Sequence, residues 1–307
     1  MSGNTSIAWT DKSWNPVTGC TRVTSGCQNC YAFALHDMRH AAYNAGHAMP
    51  VQYHKPFSEI QLLPQRLEDP LHIKKPQRFF VNSMSDLFHS QVPDEYIRAC
   101  LDVMRRADWH IFQILTKRVG RLRRLGPQLN WPANVWMGVS IETDDLTPRA
   151  DALREVPVAV RFLSCEPLLG PLPSLNLEGI HWVIVGGESG KGYRPMDLDW
   201  ARDLRDRCLT QEVSFFYKQG SAFRSGQHEE LDGQMWRQFP MRSTTRCAHC
   251  KGWFEQKQIV YRQNDISYNA LCERCQTLPV FLPFMERLNH GMVSDDEIRN
   301  FNSFHDM

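Results

Sequence analysis

The chain has 307 residues, with 35 Lys plus Arg against 34 Asp plus Glu, a net charge of +1 and 42% apolar residues. Near-neutrality excludes a protein that coats nucleic acid by charge alone, and the apolar content excludes a disordered chain. No apolar stretch approaches the ~18 residues of a membrane span, and Met1-Ser2-Gly3-Asn4-Thr5 has no basic-then-apolar pattern of a secretory signal, so a cytoplasmic location is expected.

In chain order, the first feature is Cys20, Cys27 and Cys30, with six and two residues between them. In a reducing compartment, thiols clustered in this way point to metal coordination before disulfides. Gly19, Thr24, Ser25 and Gly26 are small enough for the backbone to wrap an inorganic core. Three thiolates suit a four-iron cubane with one open iron. The alternative is a Cys-and-His zinc site drawing on His36 and His40. Those histidines lie four apart on a predicted helix and should share a face turned away from the loop.

Between about residue 79 and residue 218, short apolar runs alternate with amphipathic stretches. The runs are Arg78-Phe79-Phe80-Val81-Asn82, His110-Ile111-Phe112-Gln113-Ile114-Leu115, Val135-Trp136-Met137-Gly138-Val139, Val160-Arg161-Phe162-Leu163, Trp182-Val183-Ile184-Val185-Gly186 and Ser214-Phe215-Phe216-Tyr217. Each reads as a strand buried on both faces of a parallel sheet. Residues 93–106 and 198–208 read as helices between strands. The pattern predicts an α/β fold, a partial (β/α)6-like barrel with a further strand before the first helix.

Polar residues follow the runs: Asn82-Ser83-Met84-Ser85-Asp86, Thr116-Lys117-Arg118, Ser140-Ile141-Glu142-Thr143, Cys165-Glu166-Pro167 and Gly186-Gly187-Glu188-Ser189-Gly190. Single instances of this kind are helix caps. Five in succession predict a shared pocket at the carboxyl ends of the strands. The basic stretch at residues 117–124 is either a phosphate contact near that mouth or a solvated helix face.

Residues 221–246 are polar and irregular, which places a boundary near residue 244 and divides the chain into 1–244 and 245–307. In the second part, Cys247-Ala248-His249-Cys250 and Cys272-Glu273-Arg274-Cys275 stand 21 residues apart. Paired knuckles at that distance predict a zinc-ribbon-like module with four thiolates on Zn2+, a second iron–sulfur cluster being the rival. Trp253-Phe254 and Ile259-Val260-Tyr261 are its expected strands.

Trp14-Asn15-Pro16-Val17-Thr18-Gly19-Cys20, continuing to Cys27-Gln28-Asn29-Cys30-Tyr31-Ala32, resembles the signature of a phage-associated radical S-adenosylmethionine (SAM) family. Further blocks are similar and in order: residues 80–89, Leu115-Thr116-Lys117-Arg118, Ser164-Cys165-Glu166-Pro167-Leu168, residues 186–190 and Phe216-Tyr217-Lys218-Gln219. The resemblance implies a radical SAM partial barrel in which Cys20, Cys27 and Cys30 hold a [4Fe–4S] cluster. The open iron chelates SAM, and its reductive cleavage yields a 5′-deoxyadenosyl radical that takes hydrogen from the substrate. It further implies that Asn82, Ser83 and Asp86 bind SAM with Ser140 and Glu142 opposite. Lys117 would pair with its carboxylate, Tyr31 would pack by cluster or adenine, and Glu166 and Glu188 would meet substrate. A Gly-Gly-Glu segment that binds the SAM amino group in many such enzymes falls here after a much later strand, so that role is not transferred.

Three functions are compatible with these features. The first is a radical isomerase or transferase acting on a nucleobase substituent, aminoacyl-thymidine in phage DNA, in the host cytoplasm, with electrons from flavodoxin or ferredoxin; a base in duplex DNA would have to be extruded. The second is radical modification of a peptide or transfer RNA. The third is a non-catalytic zinc and nucleic-acid binding protein.

Overall fold

A computed structural model describes residues 3–240 and the strand segments 244–246, 253–255, 259–263 and 268–272. The chain forms two compact units, Met1–Met241 and Arg242–Met307. The strands of the first are β1 (Gly3–Asn4), β2 (Lys12–Trp14), β3 (Val17–Thr18), β4 (Gln61–Leu62), β5 (Arg78–Val81), β6 (Ile111–Thr116), β7 (Val135–Ser140), β8 (Val160–Cys165), β9 (Trp182–Gly186) and β10 (Ser214–Gln219). Its helices are α1 (Tyr31–Asn44), α2 (Asp94–Arg106), α3 (Val119–Leu125), α4 (Pro148–Arg154) and α5 (Leu198–Thr210).

One sheet runs β1-β2-β5-β6-β7-β8-β9-β10. Within this sheet the strands from β2 to β10 are parallel and only β1 is antiparallel, while β3 and β4 pair antiparallel in a separate two-stranded sheet. The result is the expected partial barrel, a curled half-barrel of seven parallel strands with β1 and β10 at its edges. One crossover departs from the repeat. Between β8 and β9 no helix forms; Leu168, Leu172, Leu175 and Leu177 from the connecting loop are buried there instead.

Strand alternation sorts side chains onto two faces. The outward face packs against the helices: Ile97, Cys100, Leu101 and Met104 of α2 cover Phe79, Val81, Phe112 and Ile114 in one apolar core. The inward face carries Trp9, Phe80, Trp136, Phe162, Trp182 and Phe216, a separate apolar cluster that fills the bottom of the half-barrel. Gly138 lies inward as well. A Cβ there would stand 2.5 Å from the Phe162 ring, so the absent side chain is what admits Phe162. Burial pushes the thiols of Cys100 and Cys208 up, the latter to about 12, so the cysteines of this outer core are unreactive packing groups.

In the second unit, β11 (Thr244–Arg246) pairs antiparallel with β12 (Trp253–Glu255), and β13 (Ile259–Gln263) with β14 (Tyr268–Cys272). The two expected strands, Trp253-Phe254 and Ile259-Val260-Tyr261, therefore pair with different partners and belong to two hairpins. Cys272 ends β14 opposite Ile259, whereas Cys247, Cys250 and Cys275, and with them the expected metal site, lie outside the described residues.

Candidate functional site

The loop from β3 to α1 carries Cys20, Cys27 and Cys30, and Cys30 directly precedes the first turn of α1. Gly19 enters the loop at φ +96°, and a Cβ there would collide with the Glu59 carbonyl, so glycine alone permits the descent. The Cys20 N–H donates to Phe57 O at 2.8 Å. The three cysteines line a cavity of 120 Å³ together with Asn82, Lys117 and Ser140. Cys30, Lys117, Ser140, Phe80 and Leu115 also line a neighbouring cavity of 200 Å³ inside the half-barrel, whose walls include Ser164, Glu166, Glu188 and Lys218. The strand ends that follow the apolar runs do converge on one mouth.

Three of these strand ends grip the cysteine loop. After β6, the Arg118 guanidinium donates to Thr21 O and Thr21 Oγ1, both at 2.9 Å, and lies 3.8 Å from Cys20 Sγ. After β7, the fully buried Glu142 carboxylate accepts from Thr24 Oγ1 at 3.0 Å and is ion-paired with Lys117 and with Arg149, the latter at 3.1 Å. A Cβ on Gly26 would lie 2.6 Å from its Oε1, so loop and carboxylate are in direct contact. After β9, Glu188 accepts from Asn29 Nδ2 and from Arg194 Nε at 2.9 Å each, and Arg194 reaches on to Ser25 O at 3.0 Å.

These grips set the electrostatics of the thiols. Burial pushes Cys20 up to about 11, the Asp86 charge adding to it and Arg118 opposing. Burial also raises Cys27, but backbone hydrogen bonds at Val23 and Thr24, the Lys117 charge and the Thr24 hydroxyl together bring its pKa below the ordinary thiol value. His89 is buried and held neutral: desolvation first, then Arg118 and Arg121, depress it to about 4. The bonds agree, since its Nδ1 accepts from Gln91 N at 3.2 Å, which leaves Nε2 to donate to Thr21 Oγ1 at 3.0 Å.

The expected cofactor and substrate ligands thus divide. Asp86 is buried and already accepts from Thr116 Oγ1, Lys117 N and Phe88 N; desolvation raises its pKa despite these bonds. Lys117 and Glu142 neutralise each other. Glu188 is taken by Arg194 and Asn29. The charges of these four residues fasten the loop. Ser83 Oγ exchanges hydrogen bonds with the Asn15 amide, and Tyr31 donates to Ser83 O at 2.7 Å while its ring stays 53% exposed. Asn82 differs from all of them. It is 3% exposed, held at φ +61°, and lines the cysteine cavity, while neither its Oδ1 nor its Nδ2 has a partner among the described residues.

Glu166 accepts from Lys218 Nζ at 2.9 Å and from Ser164 Oγ at 3.2 Å on the wall of the inner cavity. The sequence assigns no such role to Lys218, Asn29, Arg149 or Arg194, and it marks Thr24 only as a small loop residue. Thr24 and Glu142 are 118 residues apart and Asn29 and Glu188 are 159 apart, so no local pattern announces either pair.

Two alternatives are corrected. His36 and His40 turn to Lys55 O at 2.9 Å and Tyr53 O at 2.8 Å, and among the described residues no three His, Cys, Asp or Glu side chains gather as ligands of a single ion. Each thiolate of a cubane binds its own iron, so its ligands stand further apart than those of one ion. The basic stretch is not a free phosphate patch. Arg121 and Arg124 pair with Asp94, Arg123 with Glu155, and Lys117 and Arg118 serve the loop.

The sequence profile of the family described as "Protein of unknown function (DUF5131)" matches residues 4–240, and the chain belongs to that family. No curated protein matches it. Among solved structures it is similar to a cysteine-to-serine variant of spore photoproduct lyase (11% identity, TM-score 0.43, covering 95% of this chain and 74% of that one). It is also similar to a variant of that lyase with bound AdoMet and dinucleoside spore photoproduct (10% identity, TM-score 0.38, the same coverage).

Proposed function

We propose that this chain is a radical SAM enzyme acting on a nucleobase substituent, aminoacyl-thymidine of phage DNA, in isomerase or transferase chemistry. The observation that carries the reading is a juxtaposition. Three thiols on one loop, at the carboxyl mouth of a parallel half-barrel, share a cavity with a buried asparagine whose amide has no partner among the described residues.

The residues present fit the cofactors. Three cysteines leave one iron of a [4Fe–4S] cluster open, and the unpaired Asn82 amide can both donate to and accept from a bound SAM. When bound, cluster and SAM supply one-electron reductive cleavage, drawing on a donor such as flavodoxin or ferredoxin, and activate a substrate C–H bond. The chain's own task is placement and exclusion. Phe80 and Leu115 line both inner cavities with apolar surface that keeps water and stray hydrogen donors out. Ser140 stands between the two, where cofactor and substrate would meet. Lys218 Nζ and Glu166 Oε1 hold a proton between them on the substrate side.

Cys247, Cys250, Cys272 and Cys275 bind Zn2+, or a second cluster, in a module spanning residues 245–307; the barrel part is 1–244. The enzyme works in the cytoplasm of the phage host. Among the described residues no helix is long and apolar enough to cross a membrane.

Anaerobic reconstitution tests the reading. The purified protein is expected to take up iron and sulfide and, once reduced, to release 5′-deoxyadenosine from SAM; Cys27→Ala should abolish both. Zinc alone at the loop, or SAM cleavage retained in the variant, would overturn it. Deuterium passing into 5′-deoxyadenosine from a labelled peptide, and never from a labelled nucleoside, would redirect the substrate assignment.

A further inference from the structure

The half-barrel leaves a gap between its two edges, and a cavity of 720 Å³ spans it. Ser13, Tyr31, Arg39 and Arg66 line one side, and Lys218 and Glu229 the other. The gap cavity and the inner cavity share Ile7, Tyr31, Ser189, Lys218 and Gln219, so a path leads from the open side of the molecule to the barrel interior.

The charges in this gap are arranged unlike those at the mouth. There, Arg118, Arg121, Arg149 and Arg194 each face a carboxylate. Arg39 and Arg66, both half-buried, have none among the described residues. Arg39 donates to the Tyr53 hydroxyl and lies over that ring at 4.9 Å, which fixes its plane. The Arg66 guanidinium makes no ion pair and no hydrogen bond with any described residue. The cavity's own acid, Glu229, is matched by Arg237 at 2.9 Å, and Lys218 by Glu166. Two half-buried guanidinium groups in a cavity, without a counter-ion among the described residues, are waiting for an anion, and their fork geometry suits phosphate. Between them and the barrel stands the exposed ring of Tyr31, a surface on which a base can stack.

We propose that Arg39 and Arg66 bind backbone phosphates of a nucleic-acid strand entering through this gap, one nucleoside passing Tyr31 into the inner cavity. The inference rests on the nucleobase reading above and adds the route and the phosphate contacts. It also accounts for a net charge of only +1, because recognition needs two placed arginines and no basic surface.

The test is fluorescence anisotropy of the full, cluster-loaded chain with a labelled single strand of about ten nucleotides, in DNA and RNA versions, over a salt series. The double variant R39Q/R66Q is expected to bind roughly tenfold more weakly. Its slope of log K against log salt should fall by about 1.4, ~0.7 for each lost phosphate on a single strand. R39K/R66K should keep most of the slope, since a point charge still neutralises phosphate. R98Q/R123Q, on the outer helices, should keep all of it. Thermal melts check folding, and R66Q alone, with a fall of about 0.7, serves if the double variant does not fold. A slope unchanged in R39Q/R66Q, or one that falls equally in R98Q/R123Q, would overturn the proposal. So would a wild type that releases 5′-deoxyadenosine yet binds neither strand, and that result would leave the radical chemistry standing. A wild type that holds no cluster but binds either strand through Arg39 and Arg66 would do the reverse.

Discussion

Toward the amino-terminal ends of the strands the inner face of the half-barrel is closed by Trp136, Phe162, Trp182 and Phe216, with Trp9 packed on them and Phe80 continuing the cluster up to the cavities. At the carboxyl ends the same strands present Asn82, Lys117, Ser140, Glu142, Glu166, Glu188 and Lys218. One end is held by shape and area, the other by paired charge that reaches across to a loop. Aromatic packing tolerates no open space, so the floor is finished in itself. A charge network stays ordered around two cavities and can leave one polar group unpaired. The difference teaches why the chemistry belongs at the top: only there does the fold hold reactive side chains rigidly without filling the room between them.

The sharpest test of the division is at the floor. Trp182 is fully buried and touches five aromatic rings, with centroids at 6.3 Å from Trp9, 5.8 Å from Trp136, 5.6 Å from Phe162, 5.9 Å from Phe216 and 5.1 Å from Phe239. Trp182→Ala is expected to lower the unfolding free energy by about 3–5 kcal/mol in urea titrations. At matched temperature below the transition, the folded fraction should still bind iron. Loss of iron from protein that remains folded would show that floor and mouth are not separable.

Glu142→Gln probes the reverse direction. It leaves Lys117 and Arg149 without their shared carboxylate at a fully buried position, and a cost of about 3 kcal/mol is expected. Unlike the floor variant, it should also loosen the loop through Thr24, so iron is lost faster to a chelator from protein that is still folded. Thr24→Ser, which keeps the hydroxyl, should retain iron where Thr24→Val does not. Equal chelation rates in all of these would remove Glu142 from the loop's support.

How much of this was legible beforehand follows from the same contrast. The six apolar runs predicted β5 to β10 to within two residues at each end, because continuous apolar strands declare themselves by composition. The seventh parallel strand, Lys12–Trp14, is three residues long, and of these only Trp14 is buried and apolar, too little for a pattern. The missing helix before β9 has a visible cause: Leu168, Leu172 and Leu175 keep a helical spacing, but Gly170, Pro171 and Pro173 stand between them and break the helix. At the site, the cysteine spacing and the polar strand ends indicated the mouth. The division of labour among the acids did not show. Glu142, Glu188 and Asp86 look alike in sequence to Glu166, and only their distant partners reveal that three fasten the loop while Glu166 pairs with Lys218 on the wall of the inner cavity.

The smallest expected effect has the opposite sign. Asn82 follows β5 in the left-handed region with a buried amide that meets no polar partner among the described residues, an arrangement that costs stability and persists at functional positions. Asn82→Gly keeps the backbone conformation available and removes two unpaired polar atoms, so the unfolding free energy should rise by about 1 kcal/mol. Binding of SAM to the reconstituted protein should weaken in the same variant. A stability gain with SAM affinity unchanged would mean that the amide faces an unused cavity. A stability loss would mean that it has a partner inside the protein, and the strain would then have no functional cause. A variant that is more stable and less competent would place a functional cost of this fold at the mouth.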